Sequence, residues 1–228
     1  MNINAVSDIG VSRRENQDNY WSAILDVDGS EVGVVCVCDG MGGLADGDLA
    51  SRTIVSSVRR FFKSSVDMQK LRAQLQEDNA NIVRKGKESG SSMGTTCTVL
   101  KASRGMYEIL HIGDTRAYHI SKDSSMKAIT NDHSVIREWG ITRESDPQMY
   151  AKYLNKLTRC LGVYPDAQFD FYRGYYEEGD TFLLCSDGCW HFFDNNHLDK
   201  NTINIGALIN RCIEEGETDN ITVCLLEV

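Results

Sequence analysis

Two apolar stretches of this chain run directly into an Asp-Gly pair. They are VGVVCVCDG, which ends at Gly40, and TFLLCSDG, which ends at Gly188. A strand that is apolar on both faces is buried on both faces, so its last residue lies at a fixed, sheltered edge. Apolar runs and alternating patterns predict strands at residues 19–27, 31–38, 94–102, 106–112, 115–121, 181–185 and 221–228.

Three other stretches carry apolar residues three or four positions apart, which is the spacing of one helix face. The first lies within ADGDLASRTIVSSVRRFF, the second runs from Met68 to Ile82, and the third runs from Ile205 to Ile213. All three stripes are interpreted as helix faces that pack against a core.

The strands at 106–112 and 115–121 are separated only by Gly113 and Asp114, a spacing that predicts a tight antiparallel hairpin. Several strands nevertheless read as apolar on both faces. An antiparallel sheet buried on both sides needs a second sheet on one face and helices on the other. The pattern therefore predicts an α+β fold: a four-layer α/β/β/α sandwich of two antiparallel sheets flanked by helices.

The segment at residues 131–162 differs from its surroundings, because it is polar and contains Pro147, one of only two prolines. We interpret it as a partly helical surface excursion, either a flap that faces substrate or a plain structural insertion. With 228 residues and neither a linker nor a repeat, the chain at 1–228 is expected to form a single domain.

Composition narrows the possible partners and location. The 33 acidic and 24 basic residues give a net charge of −9, which disfavours nucleic acid and anionic membranes as partners. The eight cysteines form no paired C-x-x-C zinc signature and indicate free thiols in a reducing compartment. The N-terminus shows no signal-peptide pattern and no apolar run approaches about 18 residues, so a cytoplasmic protein is expected. The sequence does not reveal the oligomeric state, and a monomer is the default expectation.

Acidic residues stand at the ends of the predicted strands. Asp39 and Asp187 follow the two apolar strands, and Asp219 precedes the last one. An isolated Asp-Gly pair is more often a turn, and Asp28-Gly29 is interpreted as a plain hairpin turn. A buried carboxylate at a strand end, however, needs a positive partner, and a divalent metal ion is the usual one. Asp39 and Asp187 are therefore the first candidates for a shared metal site.

Two more carboxylates extend this set: Asp18 lies just before a strand, and Asp114 lies at the predicted turn. The candidate ligands are all oxygen donors, without a cluster of His or Cys, which favours Mg²⁺ or Mn²⁺ over zinc or copper. Two such ions roughly 3.5–4 Å apart can bridge one water and clamp a phosphoryl group for in-line displacement.

Eight blocks of the sequence, in order, resemble the metal-dependent protein Ser/Thr phosphatases of type 2C (the PPM family), in particular the bacterial type. The blocks are SDIGVSRRENQD, VCDGMGGLADG, GTTCTVL, HIGDTRAY, ITNDHS, LTRCLG, GDTFLLCSDG and TDNITV. They cover nearly the whole chain. The resemblance implies the α/β/β/α sandwich and a phosphomonoesterase that acts on phosphoserine and phosphothreonine by direct attack of a metal-bridging hydroxide.

The resemblance also implies roles for individual residues. Asp39 would bridge two Mn²⁺ or Mg²⁺ ions, and the carbonyl group of Gly40 would bind one of them. Asp187 and Asp219 would hold the other ion. Asp114 would join Asp187 at a weaker third position.

Two further roles follow from the same resemblance. Asp18 would orient metal-bound water, and Arg13 would bind the substrate phosphate through paired hydrogen bonds. An ordinary surface salt bridge is the alternative for Arg13. Phosphoprotein substrates of a cognate Ser/Thr kinase would be the partners.

The chain departs from the family pattern at two positions, where Gln17 replaces a frequent Glu and Met41 replaces a frequent His. Gln17 lowers the local negative charge. Met41 removes an obvious general acid, so another group or a metal-bound water must protonate the leaving group. His111 and His119 lie in strand patterns and are interpreted as structural, and His133 is assigned a structural or flap role.

Two other functions stay open. The same fold could serve as a catalytically inactive binding module, whose expected sign is the loss of ligand carboxylates. The metal site could also act on a small phosphoester, a choice that the segment at 131–162 would decide. The chain has no P-loop motif, and no cysteine is followed six positions later by arginine, as a cysteine-nucleophile phosphatase would require.

Overall fold

The computed structural model describes residues 1–41, 46–195 and 204–228. Within these segments the strands form two antiparallel sheets of five strands each. One sheet has the order β1-β10-β9-β6-β7, from Asn2–Asp8, Ile221–Glu227, Thr181–Cys185, Arg116–Ile120 and Met126–Ala128. The other has the order β2-β3-β4-β5-β8, from Asp18–Val27, Ser30–Asp39, Cys97–Ser103, Met106–Ile112 and Asp170–Tyr175.

Helices cover the outer face of each sheet. Helices α1 (Gly47–Phe61) and α2 (Met68–Ser89) lie on the sheet that contains β3, whereas α5 (Asp187–Asn195) and α6 (Ile205–Glu214) lie on the sheet that contains β10. The arrangement is the α/β/β/α sandwich that the sequence predicts, and the prediction of the fold class is confirmed.

The alternation of side chains along β3 shows why this strand reads as apolar throughout. Val35 and Val37 point into the core between the two sheets, together with residues of β9 and β10. Val34, Cys36 and Cys38 point the other way and pack under α1 and α2. Because successive side chains alternate between faces, one strand contributes to both cores.

The predicted strands are found with shifts at their ends, but three strands were missed. These are β1, β7 and β8, and each lies at or next to a sheet edge. Residues along β1 alternate between exposed and half-buried, so its sequence carries a weak apolar signal. Edge strands are covered on one side only, which is why a search for strongly apolar runs overlooks them.

The predicted hairpin between β5 and β6 is wrong. The two strands belong to different sheets: β5 pairs with β4 and β8, and β6 pairs with β7 and β9. Gly113 lets the chain cross between the sheets, with φ of 110° and Thr96 packed where a Cβ atom would lie. A two-residue connection looks the same in sequence whether the next strand pairs or crosses.

The segment at 131–162 is partly helical, as predicted. It contains α3 (Val135–Glu138) and α4 (Pro147–Tyr153). A short bridge between Ser134 and Leu157 joins the two ends of the segment to each other. The N–H of His133 donates to the carbonyl group of Gly113 at 2.8 Å, and Leu161 forms a bridge with Thr95, so both ends are also attached to the body of the protein.

The thiol prediction is also confirmed, because all eight cysteines are buried and free. None of the helices in the described segments combines the length and the apolar character needed to cross a bilayer.

Phe182 tests the packing between the sheets. Its ring is fully buried in the core between the sheets, where it stacks on His119 and meets Tyr107 and Tyr176 edge-on. We expect Phe182→Ala to lower the free energy of unfolding by about 3–5 kcal/mol, because it removes apolar contacts and leaves a cavity. Urea unfolding measures this change. Tyr175→Ala, at a side chain that is 79% exposed, is the control and should change stability by less than about 0.5 kcal/mol.

Candidate functional site

Five carboxylates gather where strands of both sheets begin or end. Asp18 opens β2 and lies opposite Asp39, the last residue of β3, in the antiparallel register. Asp187 follows β9 and opens α5, and Asp219 shortly precedes β10. Asp114 lies in the crossing between the sheets. The structure thus brings together all the carboxylates that the sequence predicts.

Burial and mutual repulsion raise the pKa of four of these groups. Burial raises the pKa of Asp18 to about 7. The pKa of Asp39 lies well above its ordinary value, because of burial and because of the charges of Asp18, Asp187, Asp114 and Asp219. The pKa values of Asp114 and Asp187 are raised for the same reasons. So much negative charge in a buried place requires a cation.

The donor set fits divalent metal ions. Asp39 is surrounded by the charges of Asp18, Asp114, Asp187 and Asp219, an arrangement that ionised carboxylates avoid unless a cation lies between them. Asp18 accepts a hydrogen bond from Ser186 Oγ at 2.6 Å through Oδ2, but its buried Oδ1 has no partner among the described residues. A buried carboxylate oxygen without a hydrogen-bond partner suits Mg²⁺ or Mn²⁺ and the water that such ions carry.

Arg13 also lies at this site. Its guanidinium group donates to the carboxylate of Asp219, and this hydrogen bond raises the pKa of Arg13. The charges of Asp187 and Asp39 act in the same direction. The structure therefore places Arg13 among the carboxylates, and its contact there is an ion pair with a predicted metal ligand.

Backbone hydrogen bonds fix the position of Asp39. Its N–H donates to Thr96 Oγ1 at 2.9 Å, and its carbonyl group accepts from Thr95 Oγ1 at 2.9 Å. The next residue must be glycine, because a Cβ atom on Gly40 would lie 2.6 Å from the carbonyl oxygens of both Gln17 and Gly47. Thr95 and Thr96 were not singled out from the sequence, since their partners come from another strand.

Asn220 holds the loop that carries Arg13, and the sequence did not reveal this role either. Its Oδ1 accepts from the N–H of Gln17 at 2.9 Å, and its Nδ2 donates to the carbonyl groups of Ile9 and Glu15 at 2.9 and 3.1 Å. One buried side chain thus joins both ends of this loop to the start of β10. The only signal in the sequence is its place directly after Asp219.

His191 is a further residue at the site that the sequence analysis passed over. Its Nδ1 lies 3.1 Å from Glu217 Oε2, and its buried Nε2 has no hydrogen-bond partner in the described part of the chain. Burial opposes the charged imidazole, but the hydrogen bond that it donates to Glu217 and the charges of Asp187 and Asp114 raise its pKa overall. Its spacing of four residues from Asp187 is a helical spacing that could have identified it.

Gln17 and Met41, the two departures from the family pattern, form backbone hydrogen bonds at the site. The backbone of Gln17 accepts from the N–H of Gly40 at 3.1 Å, and Met41 donates to the carbonyl group of Gly94 at 3.1 Å. The rest of the VCDGMGGLADG block, from Gly42 to Ala45, lies outside the described residues. The effects predicted for Gln17 and Met41 stay predictions.

Comparison with known proteins agrees with this site. Residues 11–218 match the family described as Protein phosphatase 2C. The fold and the matched residues define a protein serine/threonine phosphatase. The chain belongs to the protein phosphatase 2C family, in its bacterial type.

Three similar proteins match this chain over almost the whole length of both partners in each comparison. "Serine/threonine phosphatase stp" of Listeria innocua is 30% identical over 239 residues, which cover 97% of this chain and 93% of that protein. The PPM Ser-Thr phosphatase MsPP from Mycobacterium smegmatis, solved with cacodylate, is 26% identical with a TM-score of 0.81, covering 100% of this chain and 98% of its own. The catalytic domain of PstP, solved with two manganese ions, is 23% identical with a TM-score of 0.77, covering 98% and 96%.

Removing the side chain of Asn220 tests the anchoring of the loop. We expect Asn220→Ala to lower the free energy of unfolding by about 1–3 kcal/mol, because buried backbone groups lose their partners. Asn220→Asp keeps the acceptor for Gln17 but turns an anionic oxygen toward the carbonyl groups of Ile9 and Glu15, so its loss should be at least as large. Urea unfolding measures both variants. If Asn220→Ala were as stable as the wild type, the loop would be held by other contacts.

The histidine in β5 has a structural environment, as predicted. His111 is buried, with Nε2 donating to the carbonyl group of Asn131 at 3.0 Å and Nδ1 lying 2.9 Å from Thr98 Oγ1. Burial, together with the charge of the neighbouring His133, lowers the pKa of His111 to about 3.

This lowered pKa predicts a dependence of stability on pH. Between pH 6.5 and pH 3 the unfolded chain binds a proton at His111 that the folded protein does not, so stability falls as the pH falls below about 6.5. From pH 6.5 to 4.5 this residue should contribute a loss of about 2–3 kcal/mol. We expect His111→Gln to remove that part of the loss, as measured by urea unfolding at several pH values. An unchanged pH profile in the variant would contradict the assignment.

Proposed function

We propose that this phosphatase removes phosphate from phosphoserine and phosphothreonine in proteins with the help of divalent metal ions. The observation that carries the proposal is the buried group of carboxylates at the ends of strands from both sheets. Without a cation their charges repel one another, and the ion pair of Arg13 with Asp219 offsets only part of this repulsion.

The residues that would hold the ions follow from their positions. Asp39, at the centre of the group, would lie between two ions, and the carbonyl group of Gly40 would bind one of them. Asp187 and Asp219 would bind the other, and Asp114 with Asp187 would form a weaker third position. We propose Mn²⁺ or Mg²⁺, because the donors are oxygen atoms. The two manganese ions of the structurally similar PstP support this choice.

Bound ions would supply a bridging hydroxide as nucleophile and stabilise the charge that develops on the phosphoryl group. The residues of the chain do the rest. The buried carboxylate of Asp18 accepts a proton or a hydrogen bond from the attacking water. Arg13, released from Asp219, orients the phosphate with its planar guanidinium group. A phosphorus–oxygen bond forms to the attacking oxygen, the bond to the Ser or Thr oxygen breaks, and that oxygen takes up a proton.

Partners and location extend the proposal. Phosphoproteins made by a cognate Ser/Thr kinase are the expected substrates. We also propose a single domain over residues 1–228, a substrate-facing flap at 131–162, and a monomer in the cytoplasm. The eight free thiols support a reducing compartment. An inactive binding module is disfavoured because Asp39, Asp187 and Asp219 are all present and come together.

Hydrolysis of a phosphothreonine peptide tests the proposed function. We expect phosphate release that requires Mn²⁺ and stops with EDTA. Asp39→Asn should lower kcat by at least about 100-fold, because it removes the charge expected to lie between the ions. A simple aryl phosphate, measured alongside, distinguishes a small-molecule phosphatase from one that prefers peptides.

The chain offers a matched control for this variant. Asp28 belongs to another Asp-Gly pair, at a hairpin turn with φ of 51°, a conformation that Asn also adopts readily. Asp28→Asn should leave the rate unchanged. If folded, metal-loaded protein released no phosphate from either substrate, the binding-module alternative would replace this proposal.

A further inference from the structure

Helix α5 starts with a predicted metal ligand and carries a histidine one turn later. Asp187 opens the helix, and His191 follows four residues on, so both side chains lie on the same face. Side chains in a helix point back toward its N-terminus, which directs His191 toward the turn that holds Asp187. Two potential ligands at this spacing on one helix face can bind the same metal ion, as in helical zinc sites with two histidines.

The carboxylate of Glu217 holds the imidazole of His191 from one side. It lies 3.1 Å from Nδ1, so Nδ1 carries the proton that this hydrogen bond needs. In the neutral imidazole, the form that binds metal, the other ring nitrogen, Nε2, is then left with a lone pair. A carboxylate that binds one nitrogen of a histidine whose other nitrogen binds metal is the common arrangement at metal sites.

Nε2 of His191 is buried and has no hydrogen-bond partner among the residues that the structure describes. A buried polar atom without a partner is uncommon and requires an explanation. His119 provides the contrast, since its Nε2 is paired with Asp180 at 2.8 Å.

Two of the predicted metal ligands lie close enough to His191 to act on its charge. Asp187 and Asp114 both act on the imidazole electrostatically, and these are the two carboxylates of the third metal position. Trp190, the residue before it, donates from Nε1 to the carbonyl group of Asp114 at 2.8 Å. This contact ties α5 to the sheet crossing that carries Asp114. Helix α5 therefore carries both Asp187 and His191, and Trp190 attaches this helix to the backbone of Asp114.

We propose that His191 Nε2, oriented by Glu217, is a nitrogen ligand of the divalent ion held by Asp114 and Asp187, and that it makes this position selective for Mn²⁺ over Mg²⁺. The inference rests on the proposed function, because it concerns the same metal centre. Mg²⁺ strongly prefers oxygen ligands and keeps much of its water, whereas transition-metal ions accept imidazole nitrogen. Every other ligand proposed for this centre is an oxygen atom.

That difference makes the proposal measurable by pulsed electron paramagnetic resonance on the Mn²⁺-loaded protein. A nitrogen atom bonded to Mn²⁺ modulates the electron spin echo. We expect such a modulation in the wild-type protein, at Mn²⁺ concentrations that fill the third position. Labelling only the histidines with ¹⁵N should change its frequency, which separates imidazole nitrogen from backbone nitrogen.

Two variants locate the nitrogen. His191→Asp keeps an oxygen ligand at the same place, so an ion can still bind, but the histidine modulation should disappear. The same variant should weaken Mn²⁺ at the third position by about tenfold or more, as judged by calorimetric titration, with little change for Mg²⁺. His119→Gln, at a histidine paired with Asp180 away from the centre, should keep the modulation and both affinities.

Three results would overturn the proposal. They are a wild-type protein without a histidine modulation at saturating Mn²⁺, a modulation that persists in His191→Asp, or a Mn²⁺ affinity that this variant does not change. Phosphopeptide hydrolysis on the same samples separates this outcome from failure of the proposed function. Hydrolysis without a nitrogen signal contradicts only the role of His191, and a nitrogen signal without hydrolysis contradicts only the function.

Discussion

Repulsion among buried carboxylates is the constraint on which the rest of this structure depends. Asp18, Asp39, Asp114 and Asp187 share one small region, and the pKa of each lies above its ordinary value. The folded chain would be more stable with some of them replaced by neutral residues. A protein that keeps them together does so for a ligand, and divalent metal ions are the ligand that fits oxygen donors at this density.

The sandwich supplies the rigidity that holds these groups in place. Ends of buried strands cannot shift without disturbing the cores on both sides, so the carboxylates are held by the packing of Phe182 and its neighbours as much as by local contacts. A second set of interactions consists of polar side chains that bind backbone: Thr96 at Asp39, and Asn220 at the loop of Arg13.

The sequence predicted the central strands, the main helices and the layer order, because strands buried on both faces and helices buried on one face leave clear periodic patterns. It missed edge strands such as β1 and β8, which are covered on one side only. It placed β5 and β6 in a hairpin, because Gly113 and Asp114 look like a tight turn. Only the competition between pairing partners decides that the chain crosses to the other sheet there.

For the candidate site, the sequence by itself identified the carboxylates that the fold brings together, since an acid at the end of a buried strand needs a positive partner and the family motifs contain the same residues. The tertiary structure decided what surrounds them. Three contacts at the site join residues that are distant in the chain. They are the ion pair of Arg13 with Asp219, the hydrogen bonds of Asn220, and the contact of His191 with Glu217. A local sequence pattern reflects the burial and the periodicity of neighbouring residues, whereas these contacts depend on which distant surfaces meet after folding.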